Sequence, residues 1–224
     1  LMTHRVSFNP HHHTGLCFLS VVEALKQPPG CLPAFDMLDG EVEWKLPLFT
    51  PQPQELEQVK AMLPAEVSRG RSRLVLMNCN TSDLLPLRRW PPERYVELAQ
   101  RVLQRYPAFY VGLTGTREEA NAVGELAAQI DSERCVCLAG KTTLNQLLVL
   151  FTLADVLVTN DSGPAHFASL TRIHTITLFG PETPALFAAP TRQNHVLWSG
   201  LICSPCVNAF NNRYSGCKDN ICMK

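Results

Sequence analysis

The chain predicts an α/β fold, a parallel sheet covered by helices on both faces. Three observations carry that expectation. From Arg73 to about Ser199, short β-rich runs alternate with amphipathic helical stretches. The stretches between runs are long enough for crossover connections, which parallel strands require. The first run, RLVLMN over 73–78, reads as a buried strand, as in a sheet covered on two sides.

The elements follow in order. Residues 1–66 are irregular and rich in Pro. Within them a helix is predicted over 15–26, stopped by Pro28 and Pro29, and a polar helix over 54–62. The Pro-containing stretch 46–53 reads as a linker. Strands are then expected over 73–78, 109–114, 134–138, 156–160 and 174–179, with 195–198 a candidate sixth. Helices are expected over 92–106, 118–130, 143–153 and 163–171. Pro92 suits a first helical turn, and Thr142 or Thr143 is a suitable cap. Residues 201–224 form a cysteine-rich tail, mostly loop.

Composition excludes several classes. The chain has 224 residues, 46% hydrophobic and 18% charged, so it can bury a sizeable core. Twenty Lys+Arg balance twenty Asp+Glu, which argues against a polyanion or nucleic-acid binder working through bulk charge. No apolar run reaches the roughly 18 residues of a membrane helix. The chain begins at Leu1 and is read as a piece of a longer protein. His11, His12 and His13 are read as a solvated loop in preference to a metal site.

In doubly covered parallel sheets, ligands sit outside the carboxyl ends of the strands. The sharpest signal in such a loop is Asn160-Asp161-Ser162-Gly163-Pro164-Ala165-His166. It follows a strand and opens a helix, where free N–H groups attract anions. Asp161 or Ser162 as an ordinary helix cap is an equally open reading. The trypsin-like nucleophile segment, which Asp-Ser-Gly-Pro echoes, belongs to all-β proteins and has a second Gly where Pro164 stands. Gly140-Lys141-Thr142-Thr143 has Cys135 where a P-loop needs its first Gly, so a P-loop is rejected. Lys141 and Arg88 supply cations at strand ends, either for a diphosphate or simply to solvent. Glu119 suits either a ribose or the first turn of its helix.

Nine cysteines are present. Cys17, Cys31, Cys79, Cys135 and Cys137 are scattered among apolar segments like small hydrophobes. Cys203, Cys206, Cys217 and Cys222 cluster as C-x2-C, ten residues, then C-x4-C. Structural zinc, free thiols, and disulfides or a cluster all remain open for these four.

Five elements in this order resemble glycosyltransferase family 9, the heptosyltransferases. They are Arg88-Arg89-Trp90-Pro91 with Glu93, Gly115 with Glu119, and Gly140-Lys141-Thr142-Thr143-Leu144. The Asn160–His166 segment and Leu178-Phe179-Gly180-Pro181 complete the set. The resemblance covers about residues 70–200. It implies a GT-B fold of two Rossmann-like domains, of which this chain would be the carboxyl-terminal one. Residues 67–200 would be the donor domain, 1–66 the end of the acceptor domain plus linker, and 201–224 the tail.

The same resemblance implies an inverting transferase taking an ADP-heptose-like donor and a lipopolysaccharide-type or lipid-linked glycan acceptor. No catalytic cofactor is implied. The bacterial, cytoplasmic protein would work at the inner face of the inner membrane, associated peripherally. By motif position, Asp161, Ser162, Gly163 and His166 would contact donor diphosphate or sugar. Lys141 and Thr142 would lie near the nucleotide, Arg88 at the diphosphate, Glu119 at the ribose, and Thr81 and Ser82 near the phosphates. The general base would lie in the amino-terminal domain, so this chain alone would bind donor and transfer little sugar. Glu182 departs from the Thr usual in better-known heptosyltransferases. Rival readings are a nucleotide-binding or assembly module without transferase activity, and a GT-B nucleotide-sugar epimerase.

Overall fold

The computed structural model describes residues 3–31, 44–81, 83–208, 211–212 and 214–224. Helices α1 (Thr14–Ala24), α2 (Pro53–Ala61) and α3 (Ala65–Ser68) precede the sheet. Then follow β1 (Arg73–Asn78), α4 (Pro92–Arg105), β2 (Phe109–Thr114), α5 (Ala120–Ile130), β3 (Cys135–Cys137) and α6 (Leu144–Leu153). The second half contains β4 (Val156–Asn160), α7 (Gly163–Ala168), β5 (His174–Phe179), α8 (Pro184–Phe187) and β6 (Asn194–Trp198). The six strands are parallel, in the order β3-β2-β1-β4-β5-β6. The chain winds outward from β1, returns to the centre at β4, and winds outward again. This is the Rossmann-like doubly wound order. The expected architecture is the observed one, and 195–198 does form the sixth strand.

Alternation along β1 divides the core. Val75 and Met77 pack with Tyr95, Val96, Ala99 and Leu103 of α4 and Val123 of α5. Leu74 and Leu76 pack on the opposite face with Val149, Leu150 and Phe151 of α6. Both faces are therefore covered, which is why β1 is apolar from Leu74 to Met77. Val59 of α2, Leu63, and Val67 of α3 join this second cluster, so part of the 1–66 stretch belongs to the core of the sheet. Phe49, in the stretch read as a linker, packs there too, and its N–H donates to Leu170 O at 2.7 Å. Burial of a side chain such as Phe151 contributes about 1.5–3 kcal/mol.

Polar side chains set several boundaries. Thr143 caps α6 in a reciprocal capping box with Gln146. The expected helix 118–130 begins at Ala120, because Glu119 Oε2 accepts from Thr116 N at 2.8 Å and bends the chain first. The expected helix 163–171 ends at Ala168, where Ser169 and Thr171 hydroxyls donate to the His166 and Ala168 carbonyls. At the amino-terminal edge, Arg134 donates to four carbonyls, those of Leu103, Tyr106, Pro107 and Phe109, at 2.7–3.2 Å. Asp155 accepts from Arg73 at 2.6 Å and from Leu74 N at 2.9 Å, joining β1 to β4. Among the described residues no helix is long and apolar enough to cross a membrane.

Candidate functional site

Strand order reverses between β1 and β4, so the loops leaving their carboxyl ends part there. A cleft of about 420 Å³ opens at this point, within the size range of small-molecule sites. Asn78, Asn80 and Thr81 line it from the end of β1, and Thr114, Gly115, Thr116 and Glu119 from the end of β2. Thr142, Thr143, Leu144 and Leu147 line it from the start of α6, and Ser162, Gly163, Pro164 and Phe167 from the start of α7.

Asn160 is the clamp of the switch point. Fully buried at the end of β4, it accepts from Trp90 N at 2.9 Å and donates to Cys79 O at 3.1 Å. One amide side chain thus pins both ends of the loop that follows β1. Asn78 Nδ2 reaches the Thr114 carbonyl and hydroxyl at 3.3 and 3.2 Å. Arg89 donates to Thr81 O at 2.9 Å and pairs with Asp83. Gly140 has φ +70°, and a Cβ there would stand 3.2 Å from Arg117 Cα, so the turn before Thr142 favours glycine.

The residues expected from the sequence divide into two groups. Thr81, Glu119, Thr142, Ser162 and Gly163 meet in the cleft. Arg88, Lys141, Asp161 and His166 do not line it, and Ser82 lies outside the described residues. Glu119 lines the cleft while its carboxylate holds Thr116 N–H, so the site and first-turn readings coexist. Ser162 stands at the N-cap of α7, but its hydroxyl donates backwards to Asn160 O at 3.2 Å and makes no cap bond. The anion site expected at this helix end is also thin. Here α7 has six residues, Pro164 has no N–H, and Ala165 N–H is bonded to Ser162 O at 3.1 Å. Lys141 is exposed at its turn. His166 keeps accessible surface, yet partial burial, then His13 and Arg88, lower its pKa from the ordinary 6.5.

Arg88 is held in a buried charge cluster. Its Nη1 lies 3.7 Å from Asp161 Oδ2 and 3.6 Å from Glu182 Oε2. The Arg88 side chain is 15% exposed, Asp161 5% and Glu182 2%. The three come from the loops after β1, β4 and β5. Among the described residues the buried Arg88 Nε–H has no partner. Asn80 Nδ2, in a residue that lines the cleft, is likewise a buried donor without a partner among the described residues. Sequence reasoning did not place Asn78, Asn80, Thr114, Thr116, Asn160 or Glu182 in the site. A polar side chain at the end of an otherwise apolar strand is the signal that finds Asn78, Thr114 and Asn160.

The tail braces the loop after β5. Pro181 O accepts from Cys206 N at 3.0 Å and Val207 N at 3.1 Å. A Cβ on Gly180 would strike Met223 Sδ at 2.4 Å, so the tail lies against bare backbone there. Cys203, Cys206, Cys217 and Cys222 line one cavity of about 370 Å³ with Leu87 and Pro181. Burial first, then the neighbouring Cys206, raises the Cys222 pKa. Among the described residues no three His, Cys, Asp or Glu side chains are placed to hold a metal ion.

Comparison with known proteins agrees with this geometry. Residues 4–214 match the model of glycosyltransferase family 9 (heptosyltransferase). Lipopolysaccharide heptosyltransferase 2 of Salmonella typhimurium is 33% identical over 141 residues, covering 62% of this chain and 40% of the relative. The chain thus spans about two fifths of that relative's length. The solved E. coli ADP-heptose lps heptosyltransferase II superposes with a TM-score of 0.66 at 24% identity, over 80% of this chain and 53% of that one. A family 9 glycosyl transferase from Veillonella parvula gives 0.67 at 19% identity, over 86% and 50%. These two structures show the shared fold. With its Rossmann-like sheet and the family match over nearly its whole length, the chain belongs to glycosyltransferase family 9, the heptosyltransferases.

Proposed function

We propose that this chain is the nucleotide-sugar-binding half of an inverting glycosyltransferase. The donor is ADP-heptose or a close analogue, and the acceptor a lipopolysaccharide-type glycan. One observation carries the reading. Thr81, Glu119, Thr142, Ser162 and Gly163, from the loops after β1, β2, β3 and β4, converge on one cleft at the switch in strand order. Nucleotides bind in such crevices. The names of the Salmonella relative and the E. coli structure, both heptosyltransferases, support the sugar.

In the transfer, the acceptor hydroxyl oxygen bonds to the anomeric carbon from the face opposite the diphosphate. The carbon–oxygen bond to the diphosphate breaks, and its electron pair leaves with the nucleoside diphosphate. The hydroxyl proton passes to a base that we place in the amino-terminal domain of the full-length protein. The role left to this chain is to orient the donor and stabilise charge growing on the leaving group. We assign Glu119 to the ribose, and Thr81, Ser82, Ser162 and Gly163 to the diphosphate. Thr142 and Lys141 border the nucleotide, and Arg88, Asp161 and His166 serve the diphosphate and sugar. Because Val59, Leu63 and Val67 lie in the core of the sheet, we begin the donor domain at α2 instead of residue 67. The full-length protein would act from the cytoplasm at the bacterial inner membrane, without a catalytic cofactor.

Calorimetric titration of the purified chain with ADP, UDP and GDP tests the reading. Saturable binding that favours ADP is expected. A folded chain that binds none of the three would overturn it.

The tail supports a second, separate proposal, a structural zinc. Four thiols on one cavity are a donor set that suits zinc. As they stand, no three are placed for coordination, so the loops must close on the ion. Metal analysis should find one zinc per chain, lost in Cys206→Ser. A metal-free wild type would end this proposal.

A further inference from the structure

We infer that Phe167 is a specificity-determining residue, a stacking platform for the nucleobase of the donor. The inference rests on the nucleotide-binding reading above. A helix packed on a sheet ordinarily turns its large apolar residues to the core. In α7 that order is reversed. The buried positions are Ala165 and Ala168, and the one large apolar side chain of the helix, Phe167, is turned outward. Phe167 lines the cleft and is 36% exposed.

The ring is braced on the first turn of its own helix. Its Cε2 and Cζ lie 3.4 and 3.9 Å from where a Cβ on Gly163 would stand. Among the described residues no other aromatic ring packs on it. Leu144 stands in the same cleft, 56% exposed at the first position of α6. The Thr143–Gln146 capping box fixes that turn. Leu147 and Pro164 add to the apolar lining.

The cleft is thus divided as a nucleotide is. Helices α6 and α7 present apolar side chains to it, while the ends of β1 and β2 present amides, hydroxyls and the Glu119 carboxylate. A nucleotide has one flat apolar part, its base, and a polar remainder of ribose and phosphates. An aromatic ring takes the face of a base by stacking. A sugar carries hydroxyls and a diphosphate carries charge, so neither gains as much from such a surface. Phe167, with Leu144, therefore fits the base.

The experiment measures ADP affinity by calorimetry for wild type, Phe167→Ala, Phe167→Leu and Phe167→Trp. Thermal melting accompanies each. Phe167→Ala should weaken ADP binding by about tenfold or more, the scale of one base stacked on an aromatic ring. Phe167→Leu keeps apolar bulk without a flat face, and should recover only part of the loss. Phe167→Trp should bind as wild type does, and ADP should quench the fluorescence of the added indole. ADP carries no transferable sugar, so unchanged affinity in Phe167→Ala overturns the inference. Wild-type affinity in Phe167→Leu overturns stacking in favour of bulk alone. An indole that ADP does not quench also overturns it. If Phe167→Ala does not fold, Phe167→Leu and Phe167→Trp carry the same comparison. Wild type that fails to bind ADP overturns the donor-site reading itself, whereas a wild type that binds beside an unaffected Phe167→Ala overturns only the platform.

Discussion

The two edges of the sheet treat their charged side chains differently. At the amino-terminal edge, Arg134 donates to four backbone carbonyls at 2.7–3.2 Å, and Asp155 joins Arg73 to the first amide of β1's core. At the carboxyl-terminal edge, Arg88 stands 3.6–3.7 Å from two carboxylates, and among the described residues its Nε–H and Asn80 Nδ2 lack an acceptor. An unsatisfied buried donor is costly, so each of these calls for an acceptor, from water or from a ligand. One edge meets its charges within the protein, while the other is the edge we propose to bind the donor.

The strongest challenge to that contrast is Arg88→Ala. It removes the guanidinium that both Asp161 and Glu182 face, and should destabilise the chain by about 3–5 kcal/mol in denaturant unfolding. It should also abolish measurable ADP binding. A variant as stable as wild type would mean that the cluster is more solvated than its burial indicates.

Next is Arg134→Ala, which frees four carbonyls at the opposite edge. A loss of about 2–3 kcal/mol is expected, since the carbonyls are partly accessible and water replaces some bonds. ADP affinity should not change. A fall in affinity with retained fold would show the edges to be coupled and the contrast to be false.

The smallest effect concerns His166. Its pKa lies below 6.5 in the folded chain, so the unfolded chain binds the proton more readily. Stability is therefore unaffected above about pH 6.5 and declines as pH falls through the lowered folded value. If His166 serves the diphosphate, ADP binding should tighten over the same window as the ring becomes cationic. His166→Gln should flatten both profiles, and a wild-type binding curve without that rise would remove His166 from the site.

Much of this was legible in the sequence. RLVLMN read as a buried strand, and Thr142 or Thr143 as the cap that starts α6. Local chemistry sufficed there, because caps and periodicity act within a few residues. It failed where a side chain bonded to something unforeseen. Glu119 turned onto Thr116 N–H and delayed α5, while Ser169 and Thr171 took carbonyls and ended α7 early. The stretch 46–53 has the composition of a linker, yet Phe49, half-buried, packs against the core.

The site shows the same division. The sequence alone determined that Thr81, Glu119, Thr142, Ser162 and Gly163 lie in loops after strands; local chemistry singled out Glu119, Ser162 and Gly163, and the family resemblance Thr81 and Thr142. Strand order alone decided that they meet. Placing β4 beside β1 brings Asn160 to Cys79 across 81 residues, and placing β5 beside β4 brings Glu182 to Arg88. Hydrophobic pattern specifies which segments become strands. Their order is decided by which helix faces can be buried together, and that is settled only when the whole chain packs.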